Sequence, residues 1–253
     1  MRTVIAALWL LAVPALAAGE SAAEISRKSR EKGALNLTGL TAQLKLVTTS
    51  KDGKVKEQVL SSSARQVGGK SASIARFSQP AGVAGVAVLT VEGSGGEADD
   101  IALYLPKLKR VRKVAKSDRG KAFMDTDFAY ADIAGNGGSR DDQLKRLADE
   151  KQLDRPCYVL EGPGGEDTPY GTVKVWIDQQ TFVPMQVTYS DKSGAPLKKY
   201  RTLSLKAFKE RTVAAESVME NLQTGSKTQM TVLSLEDCAL GEDAFTERAL
   251  ERG

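Results

Sequence analysis

The 253-residue sequence contains no histidine, which removes the commonest general base at once. A Ser-His-Asp or Cys-His nucleophile system cannot be assembled without an imidazole. The same lack weakens metal binding, because the two cysteines, Cys157 and Cys238, lie far apart rather than in a CxxC pair. No cofactor or metal is expected. A Gly-rich phosphate loop is missing too. The stretch "GSGGEADD" (93–100) has no Gly-Lys-Ser/Thr ending and no helix after it, and it reads as a hairpin tip. Beyond the first residues, no apolar run is long enough to span a bilayer.

The N-terminal stretch "MRTVIAALWLLAVPALA" has one early cation, Arg2, an apolar run from Val4 to Val13, and a small-residue stop. Ala15-Leu16-Ala17 fits an A-x-A cleavage site, so residues 1–17 are expected to be a secretory signal and 18–253 the mature domain. The expected location is the periplasm. There Cys157 and Cys238 could close a long-range disulfide or remain two thiols, and both alternatives stay open. Overall charge is nearly balanced, with 36 basic and 32 acidic residues. The stretch "KLKRVRKVAKSDRGK" (107–121), with eight cations against Asp118, is therefore a local feature. Export argues against nucleic acid as its partner.

From Leu35 onward the pattern is mostly period two. Leu40, Ala42, Leu44 and Leu46 alternate with polar residues, "KDGK" turns the chain, and Val55 begins a return strand. Further strands are expected at "SASIARF", "GVAVLTVE", "DDIALYLP", "LKRVRKV", "CYVLEG", "GTVKVWID", "PMQVTYSD", "LKKYRTLSLKAF" and "KTQMTVLSLEDC". Helical patterns are confined to Ala22–Lys32, Arg140–Gln152 and the terminal "GEDAFTERALER". Many short strands with few helices imply a mainly β fold, one strongly curved antiparallel sheet or barrel.

The acids of "FMDTDFAYADI" are Asp125, Asp127 and Asp132. Read as part of a strand, Asp125 and Asp127 share a face and could hold a cation or act as an acid/base pair. Their spacing matches no calcium loop. That favours a plain role, pairing with nearby cations or accepting backbone hydrogen bonds in a bend. A two-residue turn at Pro106-Lys107 would set Arg110 opposite Leu103 and Arg112 opposite Ile101, on the apolar side. A three-residue turn would set Val111 opposite Leu103 and turn the arginines to solvent as a protected edge.

Three segments resemble one known family. They are "RFSQPAGVAGVAVLTVE" with Phe77, Pro80 and Gly85; "YLPKLKRVR" with Tyr104, Leu105, Pro106, Lys109, Arg110, Val111 and Arg112; and "FMDTDFAYAD" with Phe123, Met124, Asp127, Phe128, Tyr130 and Asp132. Together they resemble the outer-membrane lipoprotein-sorting proteins of the LolA-like type. Asp125-Thr126 stands where that family usually has Gly-Ser, Ala131 where an acid is common, and no Trp precedes Tyr104. The resemblance implies a half-open antiparallel barrel covered by short helices, a lipid or lipidated-protein cargo, and a non-catalytic carrier or chaperone role. It also implies an RND-type inner-membrane transporter as a partner. On that view Leu44, Leu46, Val86, Val88, Leu103, Leu105, Val173, Val175 and Ile177 are candidates to line the cavity. Trp176, out of phase with them, is expected on the outer face under a helix. Lys109, Arg110, Arg112 and Lys113 are candidates to meet a head group or partner. The competing view is a periplasmic adaptor or sensor that docks on a membrane complex through 107–121.

Overall fold

The computed structural model describes residues 19–32, 37–93, 99–133 and 141–252; the expected signal segment lies outside them. Helix α1 (Ala22–Glu31) opens with a capping box. The Glu24 amide donates to the Ser21 hydroxyl at 3.3 Å, and the Ser21 amide donates to the Glu24 carboxylate at 3.0 Å.

Thirteen strands follow. They are β1 (Leu40–Thr49), β2 (Val55–Val67), β3 (Lys70–Gln79), β4 (Ala87–Val91), β5 (Asp100–Leu105), β6 (Arg110–Lys113) and β7 (Lys145–Gln152). The series continues with β8 (Arg155–Pro163), β9 (Tyr170–Asp178), β10 (Pro184–Asp191), β11 (Pro196–Phe208), β12 (Arg211–Asn221) and β13 (Lys227–Asp237). All pair antiparallel in one sheet of order β6-β5-β4-β3-β2-β1-β13-β12-β11-β10-β9-β8-β7. The first and last strands meet in the middle, where Leu40 pairs with Asp237 and Thr49 with Lys227. The open edges are β6 and β7, consecutive in sequence. Two short helices complete the chain, α2 (Tyr130–Ile133) and α3 (Glu247–Leu250).

The expected alternation holds along β1, where Leu40, Ala42, Leu44 and Leu46 are buried and their neighbours half-buried. These inward residues join one core with Phe77, Val88, Val187 and Met219. A second, smaller core lies on the outer face, where Phe245 and Leu250 of the C-terminal segment cover Ala72, Ala87, Leu89 and Ala102.

One expectation fails, and one strand lacked a sequence signal. The helical pattern at Arg140–Gln152 resolves instead into a 3-10 turn and edge strand β7, which pairs with β8 through Leu147 and Val159. Strand β12 had no sequence signal, since "RTVAAESVMEN" does not alternate cleanly.

Candidate functional site

The basic segment forms neither expected turn. Pro106–Leu108 is a 3-10 turn, and Lys109 adopts a left-handed conformation with φ 47°. The resulting four-residue connection sets Arg110 opposite Leu105 and Arg112 opposite Leu103. An even loop length puts both arginines on the Leu103 side of the sheet. They nevertheless reach water, because β6 is a four-residue edge strand beyond the cavity wall. Arg112 approaches Asp118 at 3.8 Å, Lys121 meets Asp118 at 2.7 Å, and Lys113 meets Glu247 at 3.3 Å. Such exposed pairs contribute about 0–1 kcal/mol each. The edge is a solvated basic face, protected against strand pairing.

From β6 the chain turns back across the concave face as a strap (114–133). The acids expected on a strand stand in a bend, with Met124 at φ 49° and Asp125 at φ 60°. Asp125 thus occupies a left-handed position, which explains why glycine suits that place in the resembling family. Asp125 pairs with Lys56 at 2.8 Å rather than with the arginines. Asp127 accepts hydrogen bonds from the hydroxyls of Ser226 and Thr228, the latter at 2.7 Å, and its own amide donates to Thr228 at 2.9 Å. Both acids therefore take the plain roles of charge pairing and anchoring.

Asp132 fixes the other end of the strap. It accepts from the Ala129 amide at 2.6 Å and the Tyr170 hydroxyl at 2.8 Å, and it forms an ion pair with Lys198. The Lys198 ammonium lies 4.8 Å from the Tyr170 ring centre and 5.2 Å from that of Tyr189, within cation–π range. Burial, reinforced by the Asp132 charge, raises the pKa of the Tyr170 phenol, so it remains a donor. Between these anchors, Phe123 packs on Phe77 with ring centres 5.6 Å apart and edge-on to Tyr130 at 5.6 Å. Gly85 of the same motif group sits at φ 81°, where an added Cβ would lie 3.4 Å from Pro106. The three sequence motifs thus converge on one corner of the fold.

The strap, α1 and the sheet enclose a cavity of about 260 Å³. Its apolar part is formed by Leu44, Leu46, Leu60 and Val88 on one side and by Val187, Tyr200, Met219 and Met230 on the other. Strands β4 and β10, distant in the sheet order, therefore face each other, and the sheet is a half-open barrel. Phe123 and Phe128 of the strap complete the wall. The opposite end is polar, with Arg30, Thr38, Ser71, Ser73, Glu92 and Asp99. Burial pushes the Asp99 carboxyl up to about 6.

Of the nine expected lining residues, Leu44, Leu46 and Val88 border the cavity. Val86, Val173, Val175 and Ile177 are buried in the core instead, and Leu103 packs half-buried against it. Leu105 is half-buried beside the edge strand. Trp176 is covered by strands rather than a helix: its indole donates to Glu150 at 2.8 Å, and Lys174 lies 4.6 Å over its ring. Cys157 and Cys238 are free thiols, Cys157 in the main core and Cys238 beside the outer one, so no disulfide joins them.

A family model described as "Uncharacterized protein" matches residues 69–252. No protein of curated function matches the chain. Among solved structures, a domain assigned as an outer membrane lipoprotein-sorting protein from Vibrio parahaemolyticus aligns with TM-score 0.79 at 26% identity, covering 91% of this chain and 98% of that one. A DUF1329 family protein from Desulfovibrio piger aligns with TM-score 0.78 at 21% identity, over 90% and 97%. A LolA superfamily protein from Nitrosomonas europaea aligns with TM-score 0.67 at 21% identity, over 90% and 98%. The chain belongs to the family of uncharacterized proteins that the model describes, and its fold is LolA-like, shared with outer-membrane lipoprotein-sorting proteins.

Proposed function

We propose that the protein is a periplasmic carrier that shelters an acyl chain, from a lipid or a lipidated protein, inside the half-barrel. The observation that carries this reading is the cavity between the strap and the sheet, lined mainly by apolar side chains. Each methylene moved from water into such a wall contributes about 0.8 kcal/mol, so affinity needs no polar chemistry. The reading is supported by the fold shared with a lipoprotein-sorting domain. The cavity's charged groups are engaged in structural contacts, with Asp132 held by Lys198 and Tyr170, and a non-catalytic role accords with this.

Native mass spectrometry of protein purified without detergent, with extraction of bound lipid, tests the proposal. Acyl-bearing adducts are expected. They should disappear in Ala75→Phe, which fills the cavity from β3; displacing about three methylenes would cost about 2.4 kcal/mol of affinity. Protein that binds no acyl probe and is unaffected by that substitution would overturn the carrier reading.

A second reading is favoured by the exposed cations Lys109, Arg110, Arg112 and Lys113 on the unpaired edge. In it this face docks on a membrane complex, an RND-type transporter being one candidate. Charge reversal at Lys109, Arg110 and Lys113 should then abolish capture of the partner and leave acyl binding intact.

A further inference from the structure

Three buried tyrosines, Tyr170, Tyr189 and Tyr200, come from the adjacent strands β9, β10 and β11. Two of them have hydrogen bonds. The Tyr170 hydroxyl donates to Asp132 at 2.8 Å, and that of Tyr200 lies 3.2 Å from the Thr202 hydroxyl. Tyr189 differs. It is only 5% exposed, and its ring centre lies 4.7 Å from that of Tyr170 and 5.2 Å from the Lys198 ammonium. Yet among the described residues no group hydrogen-bonds with its hydroxyl. A buried phenol usually has a partner, because an unpaired hydroxyl forfeits the hydrogen bond it had with water. Tyr189 borders the cavity, as Val187 and Asp132 do. An acceptor held in that space would complete it.

The neighbouring charges decide which kind of acceptor fits. One Asp132 oxygen accepts from Tyr170, the other from the Ala129 amide and from Lys198. A carboxylate brought to Tyr189 would therefore meet the Asp132 charge, with the adjacent cation already paired. An uncharged carbonyl needs no counter-charge, only a donor. Burial, reinforced by the Asp132 charge, raises the Tyr189 phenol well above its ordinary pKa, so its proton stays on the oxygen. An ester is the simplest uncharged carbonyl group an acyl chain can bring, since it carries acceptors alone. We propose that Tyr189 donates a hydrogen bond to the ester carbonyl of the bound acyl chain, and so selects esterified chains over free fatty acids. This rests on the carrier reading and adds to it the residue that recognises the acyl linkage.

A matched pair of probes tests this, each displacing the dye N-phenyl-1-naphthylamine from the protein. Monolauroylglycerol carries the ester carbonyl; 1-O-dodecylglycerol has the same chain length and head but an ether in its place. The ester should bind about fivefold more tightly, the scale of one net hydrogen bond, and more tightly than laurate. Tyr189→Phe should bring the ester down to the affinity of the ether and leave the ether unchanged. Equal binding of ester and ether to the unaltered protein, or a preference that survives in Tyr189→Phe, would overturn the assignment and leave the carrier reading standing. Laurate binding as tightly as the ester would overturn the selection against free acids. Loss of ether binding in the variant would mark the hydroxyl as structural, which also overturns the assignment. If none of the three displaces the dye, the carrier reading falls with it.

Discussion

Lys198 and Asp132 form an ion pair with side chains only 6% and 3% exposed, beside the wall of an apolar cavity and between two tyrosine rings. The pair joins β11 to the strap, sixty-six residues away in sequence. Removing two charges from water is expensive, and the pair persists only because Tyr170 and the Ala129 amide satisfy the remaining carboxylate lone pairs. Lys198→Met alone, or Asp132→Asn alone, should destabilise the fold by about 3–5 kcal/mol, because each leaves its partner buried without compensation. The double replacement should recover much of that loss. Urea denaturation of the four proteins measures the coupling.

The two acids read together in the sequence should behave differently. Asp127→Ala removes the hydrogen bonds to Ser226 and Thr228 and should cost about 1.5–3 kcal/mol, as for hydrogen bonds to charged groups. Asp125→Ala removes only a solvent-facing pair with Lys56 and should cost under about 1 kcal/mol. Hydrogen exchange adds a local readout. Strap amides near Phe123 and Phe128 should lose protection in the first variant and keep it in the second.

Asp99 gives the protein a pH dependence of definite sign. Its folded pKa is raised from 3.8 to about 6 by burial. Below pH 4 both folded and unfolded chains hold the proton. As pH rises from about 4 to 6 the unfolded chain releases it first, so stability falls, by on the order of 3 kcal/mol at most. Asp99→Asn should remove this decline and be more stable than the unaltered protein at pH 7. Denaturation midpoints of the two proteins, compared between pH 4 and 8, test this.

The cysteines should differ in reactivity. Cys157 is fully buried, and burial raises its thiol to about 11, which keeps it protonated and inert. Cys238 is partly exposed. A thiol reagent should label Cys238 in the native protein and Cys157 only after denaturation. Recovery of no thiol under denaturing conditions would show that the two are bonded.

Most of the fold was legible because alternation dominates it: β1, β2 and the hairpin between them follow directly from Leu40, Ala42, Leu44, Leu46 and "KDGK". What was missed has identifiable causes. Strand β7 is built from good helix formers, and only its pairing with β8 makes it a strand; as an edge it carries charge on both faces. The turn into β8 uses Leu153 and Asp154 at φ 49° and 59°, and the turn into β12 uses Lys209 at φ 54°. With no glycine at these positions, neither turn announces itself. In the site, period two identified Leu44, Leu46 and Val88 as inward-facing. It could not separate cavity wall from filled core, since Val175 and Ile177 have the same phase but are packed over. Lys198 gave no signal, because a buried lysine is recognisable only through its distant partner.

The central seam has a consequence for how the protein is made. Strand β1 leaves the ribosome early and finds one neighbour, β2, at once. Its other neighbour is β13, the last strand, so Leu40 must wait for Asp237. Closing so long a loop is entropically costly, and folding slows when such distant pairings dominate. Until the C-terminus arrives, the flank of β1 is an unpaired strand edge that other chains can join. The sheet therefore cannot be completed until β13 is available to pair with β1.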